Sequence, residues 1–90
     1  MIKLTILGVG CHRHQALRNN LLDALKAFRF KVCLQEESAI ETLMQYPISG
    51  TPSLLIDGKI VVENRVASVA ELRRLLRRYL EKIHLESLEK

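Results

Sequence analysis

The chain has 90 residues, 48% of them hydrophobic, and a formal net charge of +4 at pH 7. This length predicts one domain over residues 1–90 with a single core, and the composition argues against a disordered chain. Its two cysteines are too few for a secreted disulfide scaffold, and their spacing matches no four-ligand zinc motif. The short apolar run at the N-terminus contains Lys3 and then bends at glycines, so we expect a cytoplasmic protein without a signal peptide or membrane span.

Four of the 14 lysines and arginines of the chain form a cluster on one late helix. Its cationic side is formed by i,i+4 arginine pairs, Arg73 with Arg77 and Arg74 with Arg78. Such a side can attract phosphates, but acidic residues are interspersed and no aromatic stacking residues accompany the arginines. We interpret it as a solvated face and expect neither a nucleic-acid nor a membrane partner.

The first half of the chain predicts a parallel strand–helix–strand unit. Apolar and polar residues alternate over residues 2–7, which is typical of a strand. An apolar stripe at helical spacing then predicts a helix from about Arg13 to Arg29, and a β-prone run predicts a second strand over residues 30–34. A helix of this length between two strands implies a right-handed parallel crossover.

The second half predicts a short helix, a hairpin and a long helix. A capping box at residues 38–41 predicts a helix through about Gln45, and Asp57-Gly58 predicts a tight type I′ turn between strands at residues 52–56 and 59–62. A second capping box, at residues 68–71, opens the last helix. Its buried stripe is predicted to consist of Leu72, Leu75, Leu76, Tyr79, Leu80 and Ile83. The order is β-α-β-α-β-β-α, an α/β fold with a four-stranded mixed sheet flanked by helices.

The residue with the clearest chemistry is Cys11, which follows the first strand and the turn Gly8-Val9-Gly10 and leads into the first helix. Unpaired N–H groups and the helix dipole favour a thiolate at such a position, so the pKa of Cys11 is predicted to be lowered. In a dithiol Cys-x-x-Cys motif, a second sulfur three residues later attacks the mixed disulfide formed by the first. Here that position is His14.

The element order and three local features resemble the thioredoxin fold in its minimal form. The features are the junction at residues 10–14, Gly50-Thr51-Pro52 before the hairpin, and residues 51–68, which closely resemble small thioredoxin- and glutaredoxin-like "redox-active disulfide" proteins of archaea and bacteria. The resemblance implies that Cys11 is the nucleophile. It also implies that Thr51 and Pro52, joined by a cis peptide bond, form a substrate shelf on which the Thr51 backbone pairs with an extended peptide or glutathione.

His14 departs from the dithiol pattern and leaves three interpretations open. It could stabilise the Cys11 thiolate or act as a general acid or base, it could bind a metal with Cys11 and His12 from two chains, or it could be an exposed, inert replacement. Cys33, on a strand expected to be internal, is interpreted as a small core residue that resolves a disulfide only if it lies close to Cys11. Arg13 is a candidate for steering anionic thiols such as glutathione.

The leading prediction is a thioredoxin/glutaredoxin-like thiol-redox protein that performs monothiol exchange through Cys11, assisted by His14. No bound cofactor or metal is expected, and glutathione is a candidate co-substrate. The alternatives are a redox-inactive binding module that keeps the Thr51-Pro52 shelf, and a metal site formed by Cys11, His12 and His14. We expect protein or small-molecule thiols and disulfides as partners, and a monomer or weak homodimer, depending on whether the tail from His84 to Lys90 extends the last helix into a dimer contact.

Overall fold

Seven elements follow one another in the order that the sequence predicts. The computed structural model describes residues 2–29 and 31–88, with side chains as far as residue 82. The elements are β1 (Ile2–Leu7), α1 (His12–Leu25), β2 (Val32–Glu37), α2 (Ile40–Leu43), β3 (Ser53–Ile56), β4 (Lys59–Val62) and α3 (Val69–Leu88). The predicted β-α-β-α-β-β-α order and the α/β fold class are confirmed.

Element ends differ from the predictions where local hydrogen bonds change type. Helix α1 ends at Leu25 rather than Arg29, because the next N–H groups bond three residues back, as Phe28 does to the Leu25 carbonyl at 3.1 Å. Strand β2 reaches Glu37, since it pairs with β1 along its whole length. Phe30, placed at the start of this strand by the sequence, lies outside the described residues.

Of the two predicted capping boxes, one forms its N-cap bond. The Glu71 N–H donates to Ser68 Oγ at 3.1 Å, while the Glu71 carboxylate pairs with Arg65 instead of closing the box. The box at residues 38–41 is wrong, because α2 begins after Ala39, which makes no side-chain cap bond. The type I′ turn is confirmed by positive φ angles of 47° at Asp57 and 86° at Gly58.

The last residues of β1 and β2 and the first residue of β3 lie together at one end of the sheet. The strand order is β2-β1-β3-β4, with β1 parallel to β2 and antiparallel to β3, and β4 antiparallel to β3. Leu7, the last residue of β1, is the register partner of both Glu37 in β2 and Ser53 in β3. The turn that leads to Cys11 and the loop that contains Pro52 therefore adjoin at the same edge of the sheet.

The main core lies between one face of the sheet and helices α1 and α3. Its fully buried leucines and isoleucines come from the two central strands and both helices: Leu4, Ile6, Leu17, Leu21, Leu54, Ile56, Leu72 and Leu76. A smaller cluster of Leu7, Leu43 and Leu55 joins α2 to the other face. The predicted stripe of α3 packs in the main core from Leu72 to Leu80, and the side chain of Ile83 lies outside the described residues.

Helix α3 continues through Leu88, so the backbone of the predicted tail is helical as far as that residue. A dimer contact through Leu85 and Leu88 stays a prediction, because their side chains lie outside those described. None of the described helices combines the length and hydropathy that crossing a membrane requires.

Candidate functional site

The turn after β1 places the Cys11 thiol at the start of a helix and in contact with solvent. Gly10 has φ of +79°, a left-handed conformation that glycine adopts without the penalty of a Cβ atom. Cys11 is the N-cap residue of α1, with extended backbone angles of −74° and 179°, and its carbonyl accepts the Gln15 N–H at 3.0 Å. The side chain is exposed, so an external disulfide has direct access to the sulfur.

The helix N-terminus lowers the pKa of the Cys11 thiol from its ordinary value. The largest cause is the main-chain N–H of His14, which faces the sulfur. Desolvation opposes this shift, while the N–H groups of Arg13 and Cys11 and the positive charge of Arg13 add to it. The four groups together favour the thiolate, which is the nucleophilic form.

The His14 side chain is buried, with 6% of its surface exposed, and both ring nitrogens are occupied. Nδ1 accepts the Gly10 N–H at 2.9 Å, so the ring proton belongs on Nε2, which lies 2.9 Å from Oε1 of Glu36 and donates to it. The expectation of an exposed replacement is wrong. Within the described residues the ring makes no hydrogen bond to Cys11, and His14 acts on the thiol through its main-chain N–H.

Glu36 and Arg18 complete a network that the sequence did not indicate. Oε2 of Glu36 accepts from Arg18 Nε at 3.2 Å, while Oε1 accepts from His14. The bond to His14 is the largest cause of a lowered Glu36 pKa, and Arg18 contributes through its own bond and charge. The only local signal was a glutamate near the end of a strand, and the parallel register that brings it beside α1 comes from long-range packing.

The peptide bond between Thr51 and Pro52 is cis, and buried polar contacts hold the loop that contains it. The fully buried Ser53 donates from Oγ to the Gly50 carbonyl at 2.8 Å and accepts the Asn64 N–H at 3.2 Å. The Pro52 carbonyl accepts the Arg65 N–H at 3.2 Å. The shelf residues Thr51 and Pro52 are thus fixed to the chain that leaves β4.

The Asn64 side chain lies directly against Gly50, so a larger residue at position 50 would force this side chain to move. A Cβ atom on Gly50 would lie 2.6 Å from Asn64 Cγ. Arg13 contacts the same segment from the other side, donating from Nη2 to the Asn64 carbonyl at 2.8 Å. The guanidinium proposed to steer anionic thiols therefore also joins the first turn of α1 to the loop after β4, and it remains exposed.

Metal coordination finds no support in this arrangement. Among the residues that the structure describes, no group of three or more His, Cys, Asp or Glu side chains could hold a metal ion. His12 is exposed, whereas the ring of His14 faces Gly10 and Glu36. A metal site shared by two chains through Cys11, His12 and His14 stays a prediction.

Cys33 is far from the Cys11 end of the sheet and is not a core residue. Strand β2 is an edge strand rather than the expected internal one, and Cys33 is half-buried outside both core clusters. Its register partner is Lys3, four strand positions before Leu7, which corresponds to about 13 Å at 3.3 Å per residue. A disulfide needs Cβ atoms within about 4.5 Å, so Cys33 does not resolve a disulfide at Cys11 in the same chain.

Comparisons with known proteins agree with this geometry. A family model described as a thioredoxin domain matches residues 2–77. A thioredoxin of Methanothermobacter thermautotrophicus is 28% identical over 76 residues, which cover 84% of this chain and 99% of that protein. The family match contains Cys11, His14, Glu36 and the Thr51-Pro52 loop, so the whole candidate site lies within it.

Proposed function

The chain belongs to the thioredoxin domain family, and we propose that it is a thioredoxin-like redox protein that exchanges disulfides through the single thiol of Cys11. The observation that carries the proposal is the exposed Cys11 sulfur at the start of α1, with its pKa lowered by the first-turn N–H groups. His14 occupies the position of a resolving cysteine, and Cys33 lies about 13 Å along the sheet from Leu7, the end of β1 that leads to Cys11. A second thiol must therefore come from another molecule.

The proposed reaction has two exchange steps. The Cys11 thiolate attacks one sulfur of an external disulfide, a Cys11 mixed disulfide forms, and the other sulfur leaves as a thiolate that takes up a proton. A second external thiol, from glutathione or a protein, then attacks the substrate sulfur of the mixed disulfide as its thiolate, and Cys11 leaves as a thiolate. The external molecules exchange partners and the protein ends unchanged, so no further oxidant or reductant is needed.

The same lowered pKa supports both steps. It raises the fraction of Cys11 that is thiolate at neutral pH, and it makes Cys11 a better leaving group when the mixed disulfide is resolved. We assign no acid–base step to the ring of His14, because both of its nitrogens are bonded to other groups. Its contribution to the reaction is the main-chain N–H that faces the sulfur.

We assign substrate binding to Thr51, Pro52 and Arg13. Thr51 makes no main-chain bond among the turn and loop contacts of the described residues, whereas the flanking carbonyls of Gly50 and Pro52 are both occupied. Its backbone groups can therefore pair with an extended peptide or with glutathione. The exposed guanidinium of Arg13 adds positive charge beside the sulfur, which favours the approach of an anionic thiol.

The test is turnover of a mixed disulfide of glutathione, measured by the glutathione disulfide released in the presence of reduced glutathione. We expect Cys11→Ser to abolish turnover and Cys33→Ser to leave it within about twofold of the parent. Mass spectrometry of the trapped protein should show one glutathione on Cys11. Loss of turnover with Cys33→Ser alone would reverse the assignment of the reactive thiol.

A second candidate is a binding module that keeps the fold and the Thr51-Pro52 shelf without redox turnover. It is favoured by one observation, since His14 is built into the fold by two hydrogen bonds rather than directed at the sulfur. Its signature is a Cys11 that reacts no faster than an ordinary thiol while the protein still binds a thiol-blocked peptide. The Cys11→Ser and Cys33→Ser variants distinguish this outcome from redox turnover at Cys11.

A further inference from the structure

The network of Glu36, Arg18 and His14 beside the turn before Cys11 has a role that monothiol exchange alone does not require. We infer that Glu36 is a positioning residue of the Cys11 site, which holds the His14 ring so that this ring fixes the Gly10 peptide and keeps the thiol facing the first turn of α1. The inference rests on the proposed function only in taking Cys11 as the reacting thiol. It is carried by two hydrogen bonds, from His14 to Glu36 and from Gly10 to His14, and by the peptide bond that joins Gly10 to Cys11.

The first contact fixes the orientation of the imidazole. Glu36 Oε1 accepts the Nε2 proton at 2.9 Å, and Oε2 is held by Arg18 at 3.2 Å, so the carboxylate cannot turn away without losing both bonds. The ring also lies directly against Gly8, where a Cβ atom would be 2.6 Å from Nδ1. The Nδ1 and Cγ atoms of the ring pack against Gly8, and Glu36 holds Nε2. The ring therefore keeps Nδ1 directed at Gly10.

The second contact fixes the peptide that precedes Cys11. The Gly10 N–H donates to His14 Nδ1 at 2.9 Å, and the Gly10 carbonyl accepts from Gln15 Nε2 at 3.2 Å. Both polar groups of Gly10 are therefore bonded to side chains of α1. These two bonds hold the chain in the positive-φ turn after which Cys11 takes its extended N-cap conformation.

The third link is the N-cap geometry itself. The His14 N–H faces the thiol only while Cys11 keeps its present backbone angles, and this N–H is the largest cause of the lowered Cys11 pKa. Without Glu36, the Nε2 proton loses its acceptor, and the ring is no longer held in its present orientation. Nδ1 then releases the Gly10 N–H, and the first-turn N–H groups no longer face the sulfur.

Electrostatics and positioning make opposite predictions for the removal of Glu36. The loss of a nearby negative charge favours a thiolate, so a purely electrostatic role predicts a lower Cys11 pKa in Glu36→Ala. The positioning role predicts a higher Cys11 pKa in Glu36→Ala. Arg13, the positive group beside the sulfur, is unchanged in every variant, so the sign of the Cys11 pKa shift decides between the two roles.

The experiment measures the pH dependence of Cys11 alkylation in the Cys33→Ser background, with circular dichroism as a check of folding. We expect Glu36→Ala to raise the midpoint and to slow alkylation at pH 6.5 by about three- to tenfold. Glu36→Gln keeps an amide oxygen that accepts from Nε2, so its midpoint should lie at or below that of the parent. The matched control is Glu37→Ala, which removes the same charge from the neighbouring position, whose side chain points to the other face of β2.

Hydrogen exchange of the Gly10 amide reports the same link without relying on reactivity. We expect this amide to be protected in the parent and to exchange at least about tenfold faster in Glu36→Ala. Unchanged midpoint and protection in a folded Glu36→Ala would overturn the inference, as would an equal rise in Glu36→Gln. If Glu36→Ala does not fold, an unprotected Gly10 amide or an Nδ1-protonated His14 in the parent overturns it. An ordinary Cys11 midpoint in the parent, by contrast, contradicts the proposed function.

Discussion

At this site, the atoms packed against a position restrict which residue can occupy it. Gly50 has no room for a side chain beside Asn64, and Gly8 has none beside His14. Ser53 is fully buried and joins two segments of backbone that are distant in the chain. These small residues allow the turn before Cys11 and the Thr51-Pro52 loop to approach one edge of the sheet with their buried polar atoms satisfied.

Ser53→Ala tests the support of the Thr51-Pro52 loop. It removes the hydroxyl that accepts the Asn64 N–H and donates to the Gly50 carbonyl, and the partners left behind are partly buried. We expect the free energy of unfolding to fall by about 1–3 kcal/mol, measured by urea denaturation. The control is Ser49→Ala, since Ser49 is exposed and its polar contact is made by its main-chain N–H. Equal stability of the two variants would show that the Ser53 bridge contributes nothing.

Elements were predictable from the sequence where one local pattern was sufficient. The apolar stripes of α1 and α3, the Asp57-Gly58 turn and the Ser68 cap all follow from spacing or turn chemistry, and each is confirmed. The edge position of β2 and the contact from Glu36 to His14 were not predictable. Both depend on strand order and register, which are set by contacts between residues distant in the chain.

The candidate site shows the same division between local and long-range information. A cysteine at a strand-to-helix junction was sufficient to predict the location of the thiol and the direction of its pKa shift. The role of His14 was not predictable from its distance to Cys11 along the chain. Its ring is directed by Gly8, Gly10 and Glu36, and the last of these is brought to it by the parallel pairing of β1 and β2.

At the scale of the whole molecule, the core and the site occupy different parts of the sheet. The main core fills the face covered by α1 and α3, whereas the thiol and the Thr51-Pro52 loop meet at the edge where β1 ends and β3 begins. Three carboxylates join elements at the surface. Glu36 connects β2 to α1, Asp57 connects the hairpin to β1 and α3, and Glu71 in α3 pairs with Arg65.

These carboxylates predict a loss of stability in acid. Bonds from His14 to Glu36, from Tyr79 to Asp57 and from Arg65 to Glu71 are the largest causes of their lowered pKa values. Since each pKa is lower in the folded state, the unfolded chain binds protons first as the pH falls below about 4.5. The three carboxylates therefore contribute their full stabilisation above about pH 4.5, and they lose it as the pH falls through their folded-state pKa values.

Urea denaturation between pH 7 and pH 3 measures this decline. The urea concentration at the denaturation midpoint of the parent should decrease as the pH is lowered below about 4.5. In Glu71→Gln this concentration should decrease less steeply, because the variant lacks one of the linked groups. Glu41→Gln is the control, since Glu41 is exposed on α2. A constant midpoint across this range, or equal slopes in Glu71→Gln and the parent, would contradict the assignment.

The central claim is that the start of α1 activates the thiol of Cys11, and its most direct measurement is the iodoacetamide alkylation rate as a function of pH. Cys33→Ser leaves Cys11 as the reacting thiol. We expect the rate to reach half of its plateau clearly below the ordinary cysteine pKa of about 8.5. A midpoint at or above that value would contradict the account and favour the binding module.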